Sequence, residues 1–70
     1  MQRFGEKLRR LRRSQSLTLQ DLARDLGYSD HTFLSRIERG KKKPSTDLVI
    51  AVAQKFNVQI DQLMLDDLDI

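Results

Sequence analysis

Two short apolar runs, each closed by a glycine, constrain this chain more than any other feature. Leu19, Leu22, Ala23 and Leu26 fall at helical spacing before Gly27; Phe33, Leu34 and Ile37 do the same before Gly40. Apolar residues at such spacing line one face of a helix. A glycine just beyond them supplies the left-handed residue at which helices stop. Thr18 stands before the first run with Asp21 three residues on, so its hydroxyl can accept from the Asp21 N–H while the Asp21 carboxylate reaches back. The pattern predicts helices over Leu19–Leu26 and His31–Arg39, the second capped by Ser29 or Asp30.

The remaining segments are helical too. Phe4, Leu8 and Leu11 recur among Arg, Lys and Glu and predict a first helix over Gln2–Arg13. Leu17 covers the core where the chain turns. Pro44 drives Lys43 out of helical geometry, Ser45 opens a fourth helix with Asp47 in its first turn, and Asn57 ends it. Leu48, Val49, Val52, Ala53 and Phe56 form its inner face, and Ile50 and Ala51 make it apolar on further sides, which predicts the most buried helix. A short fifth helix follows at about Asp61–Met64. The expected fold class is all-α, a five-helix bundle over residues 1–65, with 66–70 an acidic, frayed tail or one that packs on a partner.

Seventy residues with three Gly, one Pro and no Cys hold too few turn residues for an all-β domain and no disulfide framework. A chain this short buries a marginal core, so close helix packing or a partner chain has to stabilise it. One histidine excludes the usual multi-histidine metal site, and Asp66, Asp67 and Asp69 lack the spacing of a calcium loop. No metal and no cofactor are expected. There is no nucleophile with a base, no paired-carboxylate cleft and no phosphate-cradling glycine loop, so no enzyme is expected. No apolar run nears the ~20 residues of a membrane span, and the first twenty are too charged for a signal peptide; a cytoplasmic location is the expectation.

Charge divides the chain. Residues 1–43 carry twelve Lys and Arg against five acidic residues, a net +7, while residues 44–70 carry one Lys against five Asp, a net −4. Such a split points to a polyanion on one side of the fold. The two central helices, joined through a turn containing Gly27, form a helix-turn-helix unit in which the small Ala23 allows a close crossing. Leu34 and Ile37 anchor the second helix from inside. Asp30, His31, Thr32, Ser35, Arg36 and Arg39 are left outside, a short-chained polar face suited to base edges.

The runs Leu17-Thr18-Leu19-Gln20-Asp21-Leu22-Ala23, then Gly27, then Leu34-Ser35-Arg36-Ile37-Glu38-Arg39-Gly40-Lys41-Lys42-Lys43-Pro44-Ser45 resemble the XRE family of phage repressors and Cro proteins. Leu8, Leu11 and Arg12, and Val58 with Ile60-Asp61-Gln62-Leu63-Met64, extend the resemblance over residues 4–64. It implies a lambda-repressor-like fold and a prokaryotic or phage-encoded transcriptional regulator, expected to be a repressor. Such a protein binds double-stranded DNA as a homodimer with the third helix in the major groove. It also implies that Arg12 and Glu38 form a structural ion pair. One departure is plain: the segment between Gly27 and Gly40 is one residue longer than the family pattern, within Tyr28–Phe33. Counted back from Leu34, Thr32 and His31 take the base-reading positions; counted forward from Gly27, Asp30 and His31 do. Leu19 stands where phage members often carry Gln, so that brace is missing.

Arg36 is the leading base-reading residue, followed by Thr32 and His31, then Asp30 and Ser35. Thr18, Gln20, Lys41, Lys42, Lys43 and Arg39 are the expected phosphate contacts. Ile60, Leu63, Met64 and Leu68 are the expected dimer surface. No membrane and no small-molecule ligand is expected. The alternative is a protein-binding adaptor or antitoxin module that uses the same fold and grips its partner through Leu65–Ile70.

Overall fold

The computed structural model describes residues 2–70. Five helices follow one another, α1 Phe4–Ser14, α2 Leu19–Asp25, α3 Thr32–Glu38, α4 Thr46–Phe56 and α5 Ile60–Met64, with no strand among the described residues. α1 packs on α3 and α5, α2 on α3, and α4 on α5. Phe4, Leu8, Leu22, Leu34, Ile37, Leu48, Val52 and Leu63 meet in one core.

Local chemistry sets the ends of these helices. Thr18 and Asp21 form the reciprocal cap at 3.0 and 3.1 Å, and Ser45 Oγ accepts from the Leu48 N–H at 3.1 Å. α1 to α4 all stop in the same way, with a left-handed residue followed by an N–H that donates back into the last turn. Gly27 and Gly40 fill that position as expected, at φ +88° and +74°, and Asn57 does so at +54°. Ser16, at φ +56°, ends α1 without the signature of a glycine.

α1 and α3 meet more closely than their apolar residues require. Gly5 lies against the α3 backbone, where a β-carbon would collide with the Ile37 carbonyl oxygen and come within 3.0 Å of that of Glu38. Beside this contact the implied ion pair is present. Arg12 Nε and Nη2 donate to the two oxygens of Glu38 at 2.7 and 3.1 Å, and Arg9 Nε donates at 3.3 Å. The Glu38 side chain keeps 2% of its exposure and that of Arg12 keeps 12%. Arg12 Nη1 also donates to the Leu17 carbonyl at 2.8 Å, so one guanidinium joins α1, the entry to α2 and the end of α3. The Glu38 hydrogen bond holds the Arg12 group further above its ordinary titration range.

Three expectations need correction. Leu63 is not on a pairing surface; its exposure is 0% and it fills the core, because α5 turns that side toward α1 and α4. α4 is not covered all round, since Ile50 keeps 39% of its exposure. The acidic tail does not fray. Asp66 Oδ1 accepts from the backbone N–H groups of Gln2 and Arg3 at 2.8 and 3.0 Å, and Arg3 donates to the Asp66 carbonyl at 2.7 Å and to Asp69 at 3.2 Å. Ile70 packs against the core. The tail carboxylate therefore satisfies the N–H groups of the two residues that lead into α1, and α1 begins at Phe4, two residues later than expected. Segment 66–70 is structurally part of the bundle.

Lys7 completes this join. It keeps 1% of its exposure, and its ammonium donates to the carbonyls of Gln62 and Leu65 at 2.6 and 2.7 Å, a favourable place for a cation at the end of α5. The sequence analysis left Lys7 among the Arg, Lys and Glu between the apolar positions of the first helix, with no role assigned. Its place between Phe4 and Leu8 on the inner face was the overlooked signal.

Two stability predictions arise here. Breaking a buried pair on one side costs about 3–5 kcal/mol, comparable with the whole net stability of a domain this small. Glu38→Gln is therefore expected to lower the urea midpoint by most of its value or abolish folding; an unchanged midpoint refutes the structural role. The Arg3 N–H, foremost among its contacts, holds the Asp66 carboxyl below its ordinary value. The stabilisation is then complete above the unfolded value, about pH 4, and is lost as pH falls through the folded value. Asp66→Ala should lower Tm at pH 7, with the deficit shrinking as pH falls below about 4. A deficit constant with pH would assign the effect to packing instead.

Candidate nucleic-acid interface

α3 is seven residues long and its two sides differ. Leu34, Ile37 and Glu38 are buried. Thr32, Arg36 and Arg39 are exposed and Ser35 is half-buried; their i, i+3, i+4, i+7 spacing aligns all four along the outer face. Arg36 forms no hydrogen bond or ion pair among the described residues, and Arg39 makes only a long bond to the Ser35 carbonyl at 3.4 Å. The outer face thus offers a guanidinium fork in the geometry that guanine O6 and N7 accept.

The turn before α3 is held at both ends. The Tyr28 N–H donates to the Ala23 carbonyl at 2.8 Å, and the Tyr28 ring lies 5.1 Å from the Phe33 ring, centroid to centroid. Asp30 Oδ1 accepts from both the backbone N–H and the hydroxyl of Thr32, each at 3.0 Å. Thr32 is the first residue of α3, His31 is its exposed N-cap with no capping hydrogen bond from its side chain, and Asp30 lies one residue further out. Of Ser29 and Asp30, Asp30 supplies the capping side chain.

The expected phosphate residues fall at two places. Lys41, Lys42 and Lys43 are exposed in the loop after α3. Lys42 Nζ sits 5.7 Å from the centre of the Phe33 ring, within cation–π range, so this lysine is oriented by the turn aromatics. At the start of α2, Thr18 and Gln20 are exposed. The Thr18 hydroxyl oxygen and backbone N–H are both bound to Asp21, whose carboxylate also pairs with Arg24 at 2.7 Å. What remains for a phosphate there is the Thr18 hydroxyl hydrogen and the Gln20 side chain. Leu19 packs half-buried against the core.

On α4, α5 and the tail, Ile50, Ile60, Met64, Leu65 and Leu68 keep 38–49% of their exposure. An apolar groove between α4 and α5 is lined by Pro44, Thr46, Val49, Ile50, Ile60 and Met64. Among the described residues no cluster of His, Cys, Asp or Glu is arranged to hold a metal ion, and no helix is long and apolar enough to cross a membrane.

The sequence analysis named Asp30 as a cap but missed its bond to the Thr32 hydroxyl, the seating of Lys42 on Phe33 and the approach of Gly5 to α3. Only Gly5 left a signal, since a glycine inside a helical pattern costs about 1 kcal/mol relative to alanine and marks a packing reason when retained.

Comparison with known proteins agrees with this geometry. Residues 8–63 match the helix-turn-helix family. The chain is 39% identical over 59 residues to an uncharacterized HTH-type transcriptional regulator of Methanocaldococcus jannaschii, covering 84% of this chain and 88% of that protein. It is 38% identical over 61 residues to the HTH-type transcriptional activator BcrR of Enterococcus faecalis and 36% identical over 64 residues to the antitoxin PezA of Streptococcus pneumoniae. These matches take in 87% and 91% of this chain but only 29% and 40% of those longer proteins. The restriction-modification controller protein C.AhdI of Aeromonas hydrophila superposes with a TM-score of 0.77 at 27% identity, over 90% of this chain and 94% of that one. With the fold, the helix-turn-helix unit and most of its length matched, this chain belongs to the XRE family of DNA-binding helix-turn-helix proteins.

Proposed function

We propose that the protein regulates transcription by binding double-stranded DNA in a sequence-specific way, with α3 in the major groove. One observation carries this. Among the described residues most cations are engaged within the molecule: Arg3, Arg9, Arg10, Arg12, Arg24 and Lys55 by carboxylates and Lys7 by carbonyls. Those left without a carboxylate or carbonyl partner, save the weakly bonded Arg39, are Arg13, Arg36, Lys41, Lys42 and Lys43, and all but Arg13 lie on α3 or the loop behind it. Free positive charge is concentrated where a groove and its flanking phosphates would meet the helix. Arg36 reads guanine, with Thr32 and His31 beside it and Ser35 at the margin. Lys41, Lys43, Arg39, Gln20 and the Thr18 hydroxyl hold the backbone and fix the register.

The protein acts as a homodimer in this proposal. A seven-residue helix reaches few base edges, and two copies place their α3 helices one DNA turn, about 34 Å, apart. Ile60, Met64, Leu65 and Leu68, with Ile50 across the groove, supply an exposed apolar face for the pairing. The adaptor reading is not favoured, because Asp66, Asp69 and Ile70 of the tail it would use are engaged by Arg3 and by the core.

Selection of bound sequences from random duplex DNA, with a salt titration, tests the site. Arg36→Ala should relax or remove the selected motif with little change in salt slope. Lys41→Gln with Lys43→Gln should leave the motif and reduce the slope by about 0.9 for each lost phosphate contact. Weak binding without a motif, equal in all variants, would refute base reading. Sedimentation should give a dimer mass at tens of micromolar, or on DNA, that Ile60→Glu with Met64→Glu converts to a monomer. A monomer mass for the unmutated protein in both conditions refutes the dimer.

A further inference from the structure

The two exposed threonines of the helix-turn-helix unit have opposite hydrogen-bonding polarity. The Thr18 hydroxyl oxygen accepts from the Asp21 N–H, which leaves its hydrogen free to donate. At Thr32 the partner is a carboxylate oxygen, Asp30 Oδ1, 3.0 Å away. An ionised carboxylate only accepts, so the Thr32 hydroxyl hydrogen is directed at Asp30 and its lone pairs face outward. The same Asp30 oxygen takes the Thr32 N–H at 3.0 Å. That backbone bond, foremost among its contacts, holds the Asp30 carboxyl below its ordinary value, so Asp30 is charged at neutral pH. The first residue of α3 therefore offers the groove an acceptor beside a negative charge.

Base edges sort by this polarity. Adenine N6 and cytosine N4 present amino hydrogens, whereas guanine N7 and O6 and thymine O4 are acceptors. Resting on α3 entering the major groove as proposed above, we infer that Thr32 selects adenine or cytosine on the strand it faces, and that Asp30 sets this choice by holding the Thr32 hydroxyl hydrogen. Guanine or thymine in that place would meet lone pairs with lone pairs, next to a carboxylate. Arg36 stands one helical turn along the same face, with only donors to offer, and takes guanine. The half-site then combines a guanine with a nearby adenine or cytosine, and each preference comes from one end of α3. Asp30 is a positioning residue here, acting through Thr32.

The test is selection from random duplex DNA with the full chain and four variants, each checked for folding by circular dichroism. The unmutated protein should favour adenine plus cytosine over guanine plus thymine by about fivefold or more at one half-site position, the usual scale of a single mismatch. Thr32→Val removes the acceptor and should abolish that preference. Thr32→Ser keeps the hydroxyl and should retain it. Asp30→Ala frees the hydroxyl to donate and should admit guanine, while Asp30→Asn keeps an oxygen for Thr32 and should largely preserve the choice. A merely structural Asp30 would change overall affinity and leave the selected base alone. A motif that depends on Arg36 but is indifferent to Asp30 and Thr32, or that carries guanine or thymine in that place, overturns this inference only. The absence of any selected motif overturns it together with base reading by α3.

Discussion

The attitude of α3 depends on a carboxylate removed from water. Glu38 is buried, and an unpaired charge there would cost several kcal/mol. It is tolerated because Arg12 reaches both of its oxygens and Arg9 reaches one. A seven-residue helix does not persist by itself, so its angle and rotation come from what grips it. Here the grip is the Arg12–Glu38 fork at one end and the contact of Gly5 with the Ile37 backbone beside it. Arg12 also holds the Leu17 carbonyl, which ties the entry of α2 to the same point. A shift of α1 would thus move both helices of the motif together.

The polarity of the molecule follows from where charge is neutralised. The first part of the chain has a large formal excess of positive charge, yet much of it is consumed internally. Arg9 and Arg12 answer Glu38, Lys7 closes the end of α5, and Arg3 binds the tail. What is left on α3 and its loop is compact and unopposed. The acidic tail has partners of its own at the start of the first helix, where Asp66 and Asp69 accept from Gln2 and Arg3. The exposed apolar residues of α4 and α5 line a groove of their own with Pro44, so one surface suits a polyanion and another suits an apolar neighbour.

Much of the site was legible in the sequence because local rules govern it. Caps, stops and the inner stripe of α3 involve residues within four positions of one another, and Thr18, Asp21, Ser45, Gly27, Gly40 and Asn57 behave accordingly. The Arg12–Glu38 pair was legible through family resemblance, since nothing local joins residues 26 positions apart. Lys7 and Leu63 were misjudged for a common reason. Each lies on a helix whose inner direction is set by a neighbour distant in the chain. Periodicity gives a helix an apolar side but does not say how many other helices will cover it, and Ile50 shows the same error with the opposite sign.

The sequence by itself determined that five short helices form, where the central ones begin and end, and which side chains of α3 have no place in a core. These properties belong to spacing, capping and backbone conformation, which act over one or two turns. Only the tertiary structure decided that the tail binds the start of the first helix, that a buried lysine closes the fifth, and that Asp30 holds both the N–H and the hydroxyl of Thr32. It also decided which way the Thr32 hydroxyl points. These outcomes depend on groups brought together by packing or on the direction of a single hydrogen bond, and neither the spacing nor the type of a residue encodes them.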